Sequence, residues 1–109
     1  IHPKGLEEVL KEAWKLNIPL IVTENGIATT DDEQKTRFIA DHIEVLEGCL
    51  KKGMDIRGYF YWSLMDNYEW FHGFGARFGL YQVDFDTFDR KPTQTAEYYA
   101  SLVRKNLIS

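Results

Sequence analysis

The chain of 109 residues carries 13 basic and 17 acidic side chains, which gives a formal net charge of −4. Basic residues form neither a stripe nor a block, so the charge pattern argues against nucleic acid and anionic lipid as partners. No apolar run approaches the ~20 residues that cross a bilayer, so we expect no membrane segment. The single cysteine, Cys49, cannot form an internal disulfide, which favours a reducing, cytoplasmic compartment.

Hydrophobic periodicity predicts helices and strands that alternate along the chain. The predicted helices span residues 3–16, 34–52 and 94–106, and the predicted strands span residues 18–24 and 56–63. Asn17 is expected to end the first helix, Asp31 or Asp32 to cap the second, and Gly53 to end it.

The long polar and aromatic stretch from Leu64 to Thr93 is predicted to be mainly loop. Within it we predict a short hairpin in which Phe78–Val83 pairs with Phe85–Phe88. His42 lies on the apolar stripe of the second helix, which indicates a core histidine with satisfied hydrogen bonds. Cys49 is expected to be a small buried apolar group.

Strands that alternate with helices imply an α/β fold with a parallel sheet. Two strands leave both edges of such a sheet open. The continuous apolar run at 18–24 is typical of a strand buried on both faces, yet little of this chain is left to cover it. We therefore predict that residues 1–109 are a piece of a larger α/β domain. A self-standing small α/β domain is the alternative.

Ten aromatic residues crowd the segment from Tyr59 to Tyr81, interleaved with polar side chains. Some of them must belong to a core. So dense a cluster also suits a wall that binds a flat ligand, because sugar rings stack their C–H faces on aromatic rings while polar groups contact the hydroxyls.

Glu24 ends an apolar strand just before the turn residues Asn25 and Gly26. Functional residues of parallel α/β sheets and barrels collect at the carboxyl ends of the strands. The alternative is structural, since Glu24 could instead form an ion pair with an arginine elsewhere.

Three sequence segments give the chain a family resemblance. The segment Val22–Gly26 reads VTENG, residues 58–70 read GYFYWSLMDNYEW, and residues 77–84 read RFGLYQVD. In order and spacing these resemble the motifs that end the seventh and eighth barrel strands of glycoside hydrolase family 1, which contains β-glucosidases and β-galactosidases. The match runs from His2 to Tyr99.

The resemblance implies that the chain is the C-terminal part of a (β/α)8 TIM barrel, comprising about its last two βα units. It also implies a retaining β-glycosidase that works by double displacement, with Glu24 as the nucleophile. The family's acid/base glutamate lies in an N-E-P motif, and no such motif occurs here. The isolated chain is therefore expected to be inactive until it joins the N-terminal part of the barrel, in the same or a separate chain.

The same resemblance implies roles for four sugar-binding residues. Trp62 would form the floor of the subsite, Glu69 would accept hydrogen bonds from two hydroxyls, Trp70 would donate its indole N–H and add a stacking face, and Phe78 would lie near the C6 hydroxymethyl group. Taken without the resemblance, Trp62 and Phe78 fit core packing, and Glu69 fits a solvated loop carboxylate.

Family members that act on 6-phosphosugars usually have a serine near position 69, with a lysine and a tyrosine near positions 77 and 78. This chain has Glu69, Arg77 and Phe78 instead, and an acidic Glu69 would repel a phosphate. The expected substrate is a small carbohydrate with a terminal, unphosphorylated, β-linked sugar. The alternative is a non-catalytic carbohydrate-binding relative on the same barrel.

Neither a metal nor a cofactor is expected. The three histidines have no metal-ligand spacing, Asp84 and Asp86 do not form a calcium loop, and Asp66 and Asn67 are expected to shape the loop. Lys35 stands where family members often have arginine, a departure that should affect helix packing only.

Overall fold

The structure, a computed structural model, describes residues 1–105. Its helices are α1 (Pro3–Trp14), α2 (Asp32–Lys51) and α3 (Gln94–Arg104), and its strands are β1 (Leu20–Asn25), β2 (Ile56–Tyr61), β3 (Tyr81–Val83) and β4 (Arg90–Pro92). A single 3-10 turn covers Trp70–His72. None of the helices in this part of the chain is long and apolar enough to cross a membrane.

The three predicted helices and the two predicted long strands are confirmed, with bounds that differ by up to two residues at several ends. The residues predicted to cap or follow α1 and α2 are also confirmed. The Asp31 carboxylate caps α2 by accepting hydrogen bonds from two backbone N–H groups of its first turn. Gly53 ends α2 with φ +92°, a conformation that glycine adopts without strain. Asn17 takes φ +54° just after α1. The predicted end of the third helix, residue 106, lies outside the described residues.

The second half of the predicted hairpin is wrong. β3 pairs antiparallel with β4, not with Phe85–Phe88. The Asp84 carboxylate accepts hydrogen bonds from the N–H groups of Asp86 and Thr87, and the Asp84 N–H donates to the Asp89 carbonyl. These local bonds fold residues 84–89 into the turn itself, because an aspartate side chain competes with a strand for the backbone.

The strands β1 and β2 form a parallel pair that the helices cover on one face only. We call this the covered face; its buried residues are Leu20, Val22, Tyr59 and Tyr61, which join the core between the sheet and the helices. The other side, the open face, carries Ile21, Gly58 and Phe60, with Ile21 and Phe60 55% and 59% exposed. Within residues 1–105 the predicted burial of β1 on both faces is therefore not realised.

The predicted core roles of His42 and Cys49 are confirmed. Both side chains are buried, and the His42 imidazole Nδ1 lies 2.7 Å from the Phe38 carbonyl oxygen. Burial raises the pKa of the Cys49 thiol, which is free and inert in this setting. The reducing compartment inferred from this cysteine stays a prediction.

A buried polar network fixes the loop after β2, confirming the expected loop-shaping role of Asp66. Its carboxylate accepts hydrogen bonds from the Arg77 guanidinium (2.8 Å), the Gly79 N–H (2.9 Å) and the Val83 N–H (3.2 Å). Lys35, only 2% exposed, reaches from α2 to donate to the Gly79 carbonyl at 2.8 Å. Burial lowers the Lys35 pKa, an effect that the nearby Asp66 charge opposes. Lys35 thus does more than pack a helix, because it ties α2 to this loop.

Gly79 offers a test of this network. A Cβ at this position would lie 2.3 Å from both the Asp66 nitrogen and the Tyr81 carbonyl oxygen, which are backbone atoms that cannot yield cheaply. We expect Gly79→Ala to lower the free energy of unfolding of the complete domain by at least ~2 kcal/mol, measured by urea denaturation.

Gly48→Ala is the matched control. Gly48 lies inside α2, and a Cβ there would meet nothing within 4 Å. The control should leave the domain as stable or raise its stability by roughly 0.4–1 kcal/mol, because alanine favours the helix. Equal effects of the two substitutions would contradict the close contacts assigned to Gly79.

Candidate active site

The ends of β1 and β2 bring Glu24 and Trp62 to the same edge of the sheet. Because the strands are parallel, their carboxyl ends lie side by side. The Trp62 N–H donates to the Asn25 carbonyl at 3.0 Å. A Cβ on Gly26 would lie 1.9 Å from the Trp62 carbonyl oxygen, so only glycine allows this approach. The Trp62–Ser63 peptide bond at this point is cis.

Glu24 is exposed at this edge, and none of the ion pairs formed among residues 1–105 involves it. The alternative in which Glu24 serves as a structural partner of an arginine is therefore not realised in this part of the chain. Its carboxylate is left available to a ligand.

Glu69 meets Trp62 directly. The Trp62 indole Nε1 donates to Glu69 Oε1 at 3.1 Å, so the predicted sugar platform and the predicted hydroxyl acceptor are already joined. A tight turn presents Glu69, because its N–H donates to the Gly73 carbonyl at 2.8 Å and its carbonyl accepts from the His72 N–H at 2.9 Å. Glu69 is half-buried rather than a freely solvated loop carboxylate.

Phe78 is held beside the end of β2 through its backbone. Its carbonyl oxygen accepts the Tyr61 hydroxyl at 2.9 Å and faces the Ser63 N–H at 3.4 Å. The Phe78 side chain is half-buried, and Trp62 is exposed, so neither is a fully enclosed core residue among the residues described.

Trp70 follows Glu69 on the same loop but stands apart from the other predicted residues. Its side chain is 83% exposed, and its ring meets the edge of Tyr68 with 6.4 Å between centroids. Tyr68 in turn contacts Phe74, which packs on Phe85. Trp70 is therefore carried by an aromatic loop rather than fixed against Glu24 or Trp62.

These residues line an open edge, not an enclosed cavity. A cavity of about 560 Å³ lies elsewhere, lined mainly by Asp66, Arg77, residues 82–86, Asp89 and Lys91. None of the five predicted site residues borders it. In the stretch covered by residues 1–105, no three His, Cys, Asp or Glu side chains lie close enough together to hold a metal ion.

Two residues at this edge have contacts that the sequence did not reveal. Asn25, expected only to start a turn, is the last residue of β1, and its side chain accepts the Tyr59 hydroxyl at 2.9 Å. Tyr59, expected to be one of many wall aromatics, is buried on the covered face. Strand alternation is the signal that could have separated Tyr59 from the exposed aromatics, because Tyr59 and Tyr61 are buried while Phe60 between them is exposed.

Comparisons with known proteins place the chain among glycosidases. The family model for glycosyl hydrolase family 1 matches residues 1–108. "Beta-glucosidase 47" of Arabidopsis thaliana is 41% identical over 110 residues, which cover 94% of this chain. A solved structure of a β-glycosidase from Pyrococcus horikoshii is 50% identical, covers 98% of this chain, and superimposes with a TM-score of 0.95.

A relative with a different name also matches. A 6-phospho-β-galactosidase of Staphylococcus haemolyticus is 34% identical over 122 residues and covers 99% of this chain. The chain spans 21% of the Arabidopsis relative, 26% of the Staphylococcus relative and 25% of the Pyrococcus structure. Since the family model covers nearly every residue, the chain belongs to glycosyl hydrolase family 1.

Proposed function

We propose that residues 1–109 are the C-terminal part of a single (β/α)8 barrel domain and supply about its last two βα units. The open face supports this proposal, because Ile21 and Phe60 are more than half exposed on a sheet whose other face is fully covered. The free edges of β1 and β2 support it too, since they offer unpaired backbone groups to further parallel strands. The missing partner is then the N-terminal part of the barrel.

The assembled barrel is proposed to be a retaining β-glycosidase with Glu24 as its nucleophile. The observation that carries this proposal is the strand-end edge, where an exposed Glu24 lies one residue from the backbone contact to Trp62 and where Trp62 binds Glu69. A carboxylate beside an aromatic platform and a second carboxylate suits a sugar with several hydroxyls.

In the proposed reaction a Glu24 oxygen forms a bond to the anomeric carbon while the glycosidic C–O bond breaks. The departing oxygen takes a proton from a carboxylic acid that this chain does not contain. Water then attacks the anomeric carbon, gives a proton to the same group, and releases Glu24. Retaining enzymes hold the two carboxyl groups about 5–5.5 Å apart, so the barrel must bring its acid/base that close to Glu24.

The sugar is proposed to rest on Trp62 and to donate two hydroxyl hydrogen bonds to Glu69. Hydrogen bonds to a carboxylate are stronger than those between neutral groups, which suits Glu69 as an anchor. One Glu69 oxygen is occupied by the Trp62 indole before the sugar arrives, and this bond fixes the carboxylate in advance. Trp70 is proposed to donate its indole N–H to the bound sugar and to stack its ring face on it. Phe78 is proposed to pack near the C6 hydroxymethyl group.

The chain alone is expected to show no meaningful glycosidase activity, since it lacks the acid/base and part of the subsite. A complete site can be made by replacing the matching segment of the Pyrococcus horikoshii β-glycosidase with this chain, a protein we call the chimeric barrel. The TM-score of 0.95 favours a correct fit of the segment.

Removal of the Glu24 carboxylate tests the nucleophile. In the chimeric barrel, Glu24→Ala should lower kcat for a dinitrophenyl β-glucoside by roughly a thousandfold or more. Azide should restore turnover, because the small anion fits the vacated space and attacks the anomeric carbon as the phenolate leaves. The product should be the α-glycosyl azide, identified by NMR.

Glu33→Ala is the matched control, since Glu33 is an exposed glutamate in the first turn of α2. It should keep the activity of the chimeric barrel and give no glycosyl azide. A folded chimeric barrel that binds glycosides but never hydrolyses them would favour the non-catalytic alternative. Unchanged activity after Glu24→Ala would contradict the nucleophile assignment.

The substrate is proposed to be a terminal β-linked sugar of the glucoside or galactoside type without a phosphate. The Staphylococcus relative is named for a phosphosugar, so the choice depends on the site residues. The Glu69 carboxylate, fixed by Trp62, would face a phosphate dianion with a like charge.

Paired substrates test this preference. The chimeric barrel should hydrolyse an aryl β-galactoside with a kcat/KM at least about a hundredfold above that for its 6-phosphate. Glu69→Ser should reduce the ratio of the two kcat/KM values, because it removes the repulsion between the Glu69 carboxylate and the phosphate. It also weakens binding of the unphosphorylated sugar. A higher kcat/KM for the 6-phosphate in the unsubstituted protein would contradict the proposal.

A further inference from the structure

Simple strand alternation would bury Glu24. Leu20 and Val22 lie on the covered face, and side chains two residues apart on a strand share a face. Glu24 should therefore follow them towards the helices. Instead Thr23 and Glu24 are both exposed, so the alternation breaks between Val22 and Glu24.

The break coincides with an extra residue in β1. Val22 pairs with Tyr59 and Asn25 pairs with Tyr61, so at this point the register advances three residues on β1 against two on β2. This local shift reverses the one between Leu20 and Ile21, where the register advances one residue on β1 against two on β2. A strand that holds one more residue than its partner bulges, and a bulge redirects the side chains that follow. The bulge explains why Glu24 does not lie on the same face of β1 as Val22.

Asn25 is anchored on both sides of this bulge. Its side-chain Oδ1 accepts the Tyr59 hydroxyl at 2.9 Å, and its carbonyl accepts the Trp62 N–H at 3.0 Å. Tyr59 is 5% exposed and belongs to the core on the covered face. The Asn25 side chain is thus drawn towards the covered face, and the residue before it is turned the other way.

The Tyr59 hydroxyl is suited to hold this bond. Burial raises the pKa of Tyr59 above its ordinary value, so the hydroxyl stays protonated and remains a donor. Its ring is buried in the core and packs near the Tyr99 ring, with 6.5 Å between the ring centroids. The anchor therefore has little freedom to move.

We propose that Asn25 and Tyr59 are positioning residues, which act as a pair to set the Glu24 carboxylate on the open side of the strand-end edge, in register with Trp62. This inference rests on the proposed function, in which Glu24 is the nucleophile. Neither residue touches the sugar in this account; both act through the direction of Glu24. A misplacement of a reacting group by about 1 Å can cost a hundredfold in rate, so the pair should matter for the reaction itself.

A hydrogen bond that only stabilises the fold would give a different pattern. Its loss would lower the unfolding temperature and leave kcat and KM unchanged in the folded protein. A positioning pair lowers kcat while KM stays nearly constant, because the sugar is held by other residues. The effects of the two substitutions on kcat should also be non-additive, since loss of either residue already breaks the hydrogen bond between them.

The test uses the chimeric barrel with Tyr59→Phe, Asn25→Ala and the double variant, assayed on an aryl β-glucoside well below their unfolding temperatures. Each single variant should lower kcat about tenfold or more, with KM within about twofold of the parent value. The double variant should be no slower than the slower single variant. Tyr99→Phe is the matched control, because it removes a hydroxyl from the same aromatic cluster, and its kcat should stay within about twofold.

The outcomes separate this inference from the proposed function. The positioning role is wrong if Tyr59→Phe lowers kcat no more than Tyr99→Phe does. It is also wrong if the losses of kcat caused by Tyr59→Phe and Asn25→Ala multiply in the double variant. In either case the azide result for Glu24 still stands. If azide fails to rescue Glu24→Ala, the proposed function fails and the positioning role fails with it. Should Asn25→Ala not fold, Tyr59→Phe still decides the matter, because it removes a single oxygen atom.

Discussion

The close approach of two backbone segments at the end of the sheet determines the rest of the candidate site. Asn25 and Gly26 run so near Trp62 that a hydrogen bond of 3.0 Å forms, and a Cβ on Gly26 would overlap the Trp62 carbonyl. Glu24 precedes this contact by one residue, and Glu69 binds the Trp62 indole. One contact therefore fixes the relative places of two carboxylates and an aromatic platform that are distant in sequence.

The half-covered sheet explains how a site can exist on so short a chain and still be incomplete. The helices bury one face of β1 and β2 with a continuous core, while Ile21 and Phe60 stay exposed on the other. Burial of apolar area is the main favourable contribution to folding, so an open face of this kind gives the chain a strong reason to join a larger sheet. In the proposed barrel, a site at the strand ends would gain its remaining residues by the same association.

Local signals in the sequence were enough to predict the helices, the two long strands and the caps, because these depend on periodicity and on side chains a few residues away. The hairpin was harder, since the competition between the Asp84 carboxylate and strand pairing is not visible in an alternating apolar pattern. The direction of Glu24 could not be predicted, because it depends on an extra residue whose presence shows only when β1 and β2 are paired. The reach of Lys35 to the Gly79 carbonyl joins residues 44 positions apart, which no local pattern encodes.

The assignment of Glu24 as the nucleophile is the central claim, and covalent trapping addresses it most directly. A 2-deoxy-2-fluoro β-glucoside slows both steps of double displacement, so the glycosyl-enzyme of the complete barrel should accumulate. Digestion and mass spectrometry then locate the added sugar. We expect the sugar to be attached to Glu24, within the peptide that contains residues 22–26. Attachment to Glu69, or to any residue outside this segment, would contradict it.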